Sequence, residues 1–392
     1  MTVTSDFTTK RRPSLGQRLA ETKGRPSGFD YLRIGLALAV VITHGAITTG
    51  GQAADSHLWV TPLRPVLRAV LPMFFALSGF LVAGSLERCR TLISFLGLRV
   101  IRIYPALIIE VLLSAFIIGL SITTLPAKAY LTDPEFHRYL LNVTGDIHYL
   151  LPGVFADNPF PNTVNSQLWT VPYELGCYIT ISALALIGVV RRPWLAPLAA
   201  LGICVLHLGY RVIEHHGQSL YMLGGIPGTL LIVSFLVGIS LYLYREQMSW
   251  DGRLFGGSVI LAALLLTYLP GGEYPAVFLL GYVTVWLGLT DYRRLAIIRS
   301  ADLSYGVYLY GFVIQQLFAF LFPEFRYWWA SVLVCIPCSL LFAAASWNLI
   351  EKPALKLRRP LMKLEAFLFP ASGQRFWQKG VPLTDGAAKR DI

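Results

Sequence analysis

The sequence predicts an all-helical protein, a polytopic bundle of about ten transmembrane helices. Of its 392 residues, 55% are hydrophobic and only 14% are charged. In a soluble domain roughly 45–50% of the residues are apolar and about 25% are charged. The mean hydropathy of the chain is +0.58. An ordinary soluble enzyme is therefore excluded, and little room is left for a separate soluble domain.

Apolar stretches between charged residues or Pro and Gly breaks define the predicted spans, each of about 20 residues. The ten spans lie at 29–49, 66–86, 105–125, 167–190, 194–211, 220–244, 254–269, 274–290, 302–322 and 328–350. They form one predicted membrane domain, residues 29–350, between an N-tail at 1–28 and a C-tail at 351–392.

The distribution of basic residues predicts the side of the membrane that each connection occupies. The two tails and every second connection hold 26 Lys and Arg residues, the remaining connections and the span ends beside them hold six, and Arg33 lies within the first span. Because basic loops are typically cytoplasmic, both termini are predicted to lie in the cytoplasm. The N-tail has no apolar run and so no cleavable signal peptide. Cytoplasmic loops account for the net charge of +11, so nucleic acid is not a predicted partner.

Two connections have features of their own. The segment 87–104 carries four arginines among apolar residues, which predicts an amphipathic helix on the cytoplasmic face that can also touch an anionic ligand. The longest extracytoplasmic connection is 126–166, and connections of this length are usually functional or disordered. It lies where an extracytoplasmic substrate would arrive.

The five cysteines indicate packing. Cys335 and Cys338 have the spacing of a redox pair, but they lie in an apolar span with no charged neighbour in sequence to generate a thiolate. A zinc site normally takes four protein ligands, or three and a water. Neither a disulfide framework nor a metal site is predicted.

The first span carries two ionisable side chains on one helical face. Arg33 and His44 are eleven positions apart, which is about three turns and about 16 Å along a helix axis. Arg33 can snorkel to the inner headgroups beside Asp30, and His44 can be a hydrogen-bonded core histidine. The functional alternative is that His44 acts as a general base or acyl relay.

Two later spans also carry polar groups. Glu174 lies about two turns into an apolar helix with Tyr178 on the same face, and it needs a proton, a cation, a water-filled cavity or a structural ion pair. The ninth span opens with Asp302, Ser304 and Tyr305. Asp302 or Ser304 can cap that helix, and tyrosines are typical of membrane interfaces.

These residues together resemble the acyltransferase 3 family of polytopic membrane acyltransferases. Arg33 and His44, within the context Asp-Tyr-Leu-Arg at 30–33, match its pattern of a basic residue and a histidine with ten residues between them. Ser-Gly-Phe at 78–80 is similar to its second-span segment. Arg-Val-Ile-Arg at 99–102 is similar to its Arg-x-x-Arg element.

The second half of the chain continues the resemblance. Trp-Thr-Val-Pro-Tyr-Glu at 169–174 is similar to the family's Trp-Ser-Leu-x-x-Glu motif, with Thr for Ser and Val for Leu. The segment 304–309 matches its Ser-Tyr-x-x-Tyr-Leu span. Gly311 stands where many members carry a histidine, so a second catalytic histidine is not expected there. The resemblance runs from about residue 29 to 358 with its motifs in family order.

The resemblance implies an O-acyltransferase that moves an acyl group, usually acetyl, from cytoplasmic acyl-coenzyme A to a hydroxyl of a cell-surface saccharide or glycolipid. It implies a multi-pass protein of the bacterial inner (plasma) membrane, in contact with membrane lipid and without a permanently bound cofactor. Arginine forks suit phosphate groups. The implied catalytic residues are His44 and Glu174, the residues that hold the acetyl-coenzyme A donor are Arg33, Arg99 and Arg102, and the supporting residues are Asp30, Trp169, Ser304 and Tyr305.

Two alternatives from other classes stay open at this point. One is a proton-coupled secondary transporter or flippase that uses Arg33, His44 and Glu174 as a proton relay. The other is a non-catalytic scaffold in a polysaccharide-assembly complex. A test for coenzyme A release separates both from an enzyme. The sequence does not choose between direct and relayed acyl transfer, and it does not identify the acceptor, the oligomeric state or protein partners.

Overall fold

The computed structural model describes residues 12–214, 220, 224–295 and 301–368. Within them the chain is helical, and the β-pairing consists of an isolated bridge between Ser14 and Ser249. The prediction of an all-helical fold is confirmed. The principal α-helices are α1 (Leu15–Glu21), α2 (Gly28–Leu58), α3 (Arg64–Arg88), α4 (Leu92–Leu112), α5 (Ala127–Thr132), α6 (Pro134–Leu140), α7 (Val171–Leu186), α8 (Leu195–Glu214), α9 (Gly228–Leu243), α10 (Gly252–Tyr268), α11 (Glu273–Gly288), α12 (Ser304–Leu321), α13 (Trp328–Ser346) and α14 (Arg358–Leu368).

Several helices have the length and hydropathy of membrane spans. In the described part of the chain six qualify, and α9 and α10 are shorter apolar helices. Each of the ten predicted spans overlaps a helix, and the count of ten stays a prediction. The six qualifying segments are Gly28–Leu58, Arg64–Arg88, Leu92–Ile122, Leu195–Glu214, Ser304–Leu321 and Trp328–Leu368.

The helix that contains the third predicted span is longer than that span. Helix α4 starts after Thr91, whose hydroxyl accepts the Ser94 N–H at 3.1 Å, and it continues through a π-helical segment, Leu113–Gly119, to Ile122. The predicted amphipathic segment 87–104 and the predicted span 105–125 are thus largely one helix. The prediction from sequence separates the two segments at Arg99 and Arg102, because charged side chains seldom lie within a span.

Small residues allow α3 and α9 to pack closely at the centre of the bundle. A Cβ atom at Gly79 would overlap the carbonyl oxygen of Phe235, and one at Gly238 would overlap that of Ala76. Glycine lets helix backbones approach to this distance. The neighbouring Ser78 lies on the wall of a cavity.

Segments predicted on the cytoplasmic side contact one another. The Leu15 N–H donates to the Met248 carbonyl at 2.9 Å, the Ser27 hydroxyl donates to the Tyr292 carbonyl at 2.9 Å, and Ser94 on α4 donates to Glu365 on α14 at 2.9 Å. These contacts connect the described part of the N-tail, two connections, the start of α4 and the C-tail at one end of the bundle. The part of the C-tail at 369–392 lies outside the described residues.

The predicted extracytoplasmic connection 126–166 is folded against the opposite end. Its Tyr130, Tyr139 and Phe155 are buried, and the Tyr130 hydroxyl donates to the Ala115 carbonyl at 2.7 Å. Buried side chains of this size fix the connection to the bundle. It is therefore an ordered cover over the ends of the spans.

We expect tags placed before Met1 and after Ile392 to be cytoplasmic and a probe near Asp146 to be extracytoplasmic, because the basic connections hold the chain in that orientation. Labelling of single cysteines with a membrane-impermeant reagent in intact and opened cells measures this. Labelling of residue 146 only after the cells are opened would overturn the predicted topology.

Candidate active site

A cavity between α2, α3, α4, α7, α9 and α12 brings together most of the predicted site residues. Its polar lining comes from positions that are far apart in the sequence, and its apolar lining includes Phe74, Phe75 and Phe235. The polar side chains on its wall include Arg33, Ser78, Arg99, Arg102, Thr170, Glu174, Tyr178, Ser304, Tyr305 and Tyr308.

Four charged side chains form a continuous ion-pair row at this cavity. Arg33 Nη1 lies 2.9 Å and Arg102 Nη2 lies 2.7 Å from the same oxygen, Oδ2 of Asp302. Arg102 Nη1 lies 3.0 Å from Oε2 of Glu351, which is in the π-helical turn Trp347–Glu351 after α13. The row joins α2, α4, the start of α12 and the end of α13.

Hydroxyl groups hold both carboxylates of the row. The Ser304 hydroxyl donates to Asp302 Oδ1 at 2.6 Å, and the Ser346 hydroxyl donates to Glu351 Oε1 at 3.2 Å. Tyr305 donates to the Ile103 carbonyl at 3.0 Å, and its ring lies 5.6 Å from the Arg102 guanidinium carbon. Ser304 and Tyr305 thus support the arginines from α12.

Arg99 has a different environment from the other two arginines. Its Nη2 donates to the Ser85 hydroxyl at 3.1 Å, and its guanidinium lies 5.8 Å from the Phe95 ring centre. No Asp or Glu oxygen of the described residues lies within the 4.0 Å of an ion pair with it. Arg99 is therefore a cavity cation to which a bound anion has access without displacing a carboxylate.

Glu174 lies on the wall of the same cavity. The Tyr178 hydroxyl, one helical turn later, donates to Glu174 Oε1 at 2.6 Å, so the predicted shared face is confirmed. Nearby, Thr170 and Tyr308 share a hydrogen bond of 2.6 Å. The cavity thus carries an acid–base group as well as arginines.

His44 is not part of the lining of this cavity. It is half-buried, and its ring meets that of Phe312 edge-on at 5.1 Å. Phe312 follows Tyr308 by one turn of α12, and Tyr308 lines the cavity 6.1 Å from Phe74. His44 thus contacts α12 one turn away from a cavity-lining residue, and it shares α2 with Arg33.

Two predicted supporting residues lie outside the cavity. Asp30 forms an ion pair with Arg294 at 3.2 Å, whereas the carboxylate that forms an ion pair with Arg33 is that of Asp302. Trp169 packs edge-on against Tyr173 at 5.7 Å. Asp30 lies in the first turn of the helix that carries Arg33, and Trp169 lies just before the helix that carries Glu174.

The sequence does not predict the roles of Asp302 and Glu351. From the sequence, Asp302 is explained as a helix cap. Glu351 lies one residue beyond the last predicted span, so it is not among the residues considered within spans. The sequence shows only that each of these carboxylates lies at the boundary of a predicted span, where it needs a partner. It does not show which residue that partner is. No group of three or more His, Cys, Asp or Glu side chains suited to a metal ion occurs in the described ranges.

Comparison with known proteins identifies the family. The family described as "Acyltransferase domain" of the acyltransferase 3 type matches residues 27–348, a range that contains Arg33, His44, the Arg99–Arg102 element and the ninth span. The chain belongs to the acyltransferase 3 family. It is accordingly an acyltransferase and an integral membrane protein, as the resemblance implies.

Two relatives match the acyltransferase over nearly their whole length. Nodulation protein 10 of Rhizobium leguminosarum bv. viciae is 26% identical over 379 residues, which is 89% of this chain and 98% of the relative. The O-acetyl transferase of Shigella phage Sf6 is 24% identical over 352 residues, which is 86% of this chain and 98% of the relative. No solved structure matches the chain significantly.

Proposed function

We propose that the protein transfers an acetyl group from cytoplasmic acetyl-coenzyme A to a hydroxyl of a cell-surface saccharide or glycolipid. The observation that carries the proposal is the convergence of Arg33, Arg99 and Arg102 on one cavity, at the end of the bundle where the basic segments meet. The name of the phage relative, an O-acetyl transferase, supports oxygen as the acceptor atom and acetyl as the group.

The donor's phosphates suit the arginines of this cavity. A guanidinium offers five donors and binds phosphate through two parallel hydrogen bonds. Arg99 provides such a group without a competing carboxylate, and Arg33 and Arg102 retain donors beyond those used by Asp302 and Glu351. The thioester arm then extends along α2 toward His44, over about 16 Å of helix.

The transfer itself takes place near His44. In direct transfer the imidazole accepts the proton of the acceptor hydroxyl while its oxygen attacks the thioester carbonyl carbon. The carbon–sulfur bond breaks, and the coenzyme A thiolate leaves and takes up a proton. In relayed transfer the His44 imidazole attacks the thioester carbon first and the same carbon–sulfur bond breaks; the acceptor hydroxyl then displaces the imidazole from the acyl group and gives up its proton. Glu174 is the second acid–base group of the proposal, and both routes need donors for the carbonyl oxyanion.

The test is an assay of purified protein with acetyl-coenzyme A, in which released thiol and acetylated glycan are measured. We expect surface glycans to lose acetyl groups, by mass spectrometry, when the gene is deleted from a bacterium that carries the protein in its inner membrane. If the protein neither releases thiol nor acetylates glycan, and if it carries out proton-coupled transport in proteoliposomes, the transporter alternative is supported instead.

The double variant Arg99→Ala and Arg102→Ala should bind coenzyme A at least about tenfold more weakly, because charge-assisted hydrogen bonds contribute about 1.5–3 kcal/mol each. Calorimetry with purified protein measures this. The exposed pair Arg191 and Arg192, changed to Ala, is the control and should bind like the unchanged protein. If this variant binds coenzyme A as tightly as the unchanged protein, Arg99 and Arg102 serve only the amphipathic helix at the membrane surface.

A further inference from the structure

Asp302 holds two arginines of the cavity through a single oxygen atom. Arg33 comes from α2 and Arg102 from α4, and both reach Oδ2 within 2.9 Å. Two guanidinium groups this close repel each other unless an anion lies between them. Asp302 therefore sets the distance between Arg33 and Arg102.

The orientation of the Asp302 carboxylate is fixed from both sides. Its second oxygen, Oδ1, accepts the Ser304 hydroxyl at 2.6 Å, and Glu351 holds the other end of the Arg102 guanidinium at 3.0 Å. A carboxylate whose two oxygens are both bonded, here by two guanidinium groups and one hydroxyl, has little freedom to turn. The arginines are thus held in one arrangement before any ligand arrives.

A second arginine cluster in the same protein shows what a purely structural arrangement looks like. The Arg64, Arg68 and Glu273 side chains are at most 2% exposed. In the row at the cavity, Arg33, Asp302 and Arg102 are 30%, 26% and 25% exposed. The row is therefore open to a ligand, whereas the buried cluster is closed off inside the bundle.

We propose that Asp302 is a positioning residue that places Arg33 and Arg102 at the spacing required by the phosphate groups of the donor. The proposal rests on the proposed function, since it takes acyl-coenzyme A as the ligand. Asp302 itself is an anion and acts through the two arginines. Preorganised arginines bind a polyphosphate without first paying the entropy of their own ordering.

The test variant is Asp302→Asn, which keeps the size of the side chain and removes the charge. We expect the KM for acetyl-coenzyme A to rise about tenfold or more, because two charge-assisted bonds are lost together. The kcat should fall less than kcat/KM. A role in folding alone would instead lower the amount of active protein and leave KM unchanged.

A double-mutant cycle links the effect to the arginines. In an Arg102→Ala background, Asp302→Asn should raise KM by much less than it does alone, because residues acting as one unit are non-additive. Asp302→Glu, which restores the charge, should recover part of the loss. Asp291→Asn is the matched control, since Asp291 is an exposed aspartate that accepts the Ser27 N–H at 3.1 Å, and it should keep the normal KM.

Each outcome decides the proposal. A normal KM and normal coenzyme A affinity in Asp302→Asn would overturn it, as would full additivity with Arg102→Ala. If Asp302→Asn does not fold, Asp302→Glu and Ser304→Ala replace it, and a normal KM in both would likewise overturn it. Failure of the proposed function can be told apart from failure of this proposal. If the proposed function is wrong, the unchanged protein itself neither binds coenzyme A nor releases its thiol.

Discussion

His44→Ala should abolish detectable glycan acetylation while the protein remains in the membrane at its normal level. Loss of a general base costs about 10²–10⁴-fold in rate, and loss of a covalent relay costs more. The side chain packs edge-on against Phe312, and an apolar helix needs no histidine to cross the membrane. The measurement is acetylated glycan by mass spectrometry, normalised to protein in isolated membranes.

Three further variants test whether His44 acts in the chemistry or only in packing. His44→Gln keeps hydrogen bonding but cannot titrate, so it should fail as His44→Ala does. His207→Gln is the matched control, because His207 is a histidine in another predicted span that bonds to the Tyr274 hydroxyl at 2.7 Å. It should retain activity. Arg33→Lys keeps the charge but loses the planar fork, so partial activity is expected.

Normal acetylation by His44→Gln would show that the histidine is a hydrogen-bonded structural residue. The catalytic assignment would then move to Glu174 or to the Ser304 and Tyr305 segment, which lie in the cavity itself. His44 would in that case serve the contact of α2 with Phe312 on α12.

Glu273→Ala should destabilise the folded protein by about 3–5 kcal/mol, the usual cost of removing one partner from a buried ion pair. One oxygen, Glu273 Oε1, lies 2.9 Å from both Arg64 Nη2 and Arg68 Nη1. The variant removes that shared carboxylate from two buried guanidinium groups. The free energy of unfolding in detergent, from denaturant titration, measures the effect.

The exposed Glu324 in the turn Pro323–Phe325, changed to Ala, is the control for this measurement. Surface substitutions usually alter stability by no more than about 0.5 kcal/mol. If Glu273→Ala lowered the free energy of unfolding by no more than this control does, other groups would hold Arg64 and Arg68 in place. Acetyl transfer by the folded fraction should be normal, since this cluster is outside the lining of the cavity.

Hydropathy predicts the helices well because a membrane leaves the backbone few alternatives. A single segment in hydrocarbon must satisfy its own N–H and C=O groups, and only a helix does so. The same local information divides α4 into two segments, since Arg99 and Arg102 interrupt the apolar run while belonging to that helix. Their charges are accommodated by the cavity, which is not a local property of that segment.

The candidate site was predictable wherever its residues share one helix. The spacing of Arg33 and His44, and that of Glu174 and Tyr178, follows from helical periodicity alone. The partner of Arg33 was not predictable, because Asp30 is near in sequence while Asp302, at 2.9 Å, is 269 positions away. Ion pairs across helices depend on how the helices pack.

The sequence alone determined that the protein is an all-helical membrane acyltransferase with a basic residue and a histidine on one helical face. Those properties depend on hydropathy, periodicity and short motifs, all of which are local. Only the tertiary structure decided that Asp302 joins Arg33 to Arg102 and that Glu273 joins Arg64 to Arg68. The physical reason is that such pairs form where close helix contacts, as at Gly79 and Phe235, bring distant segments to within a few ångströms.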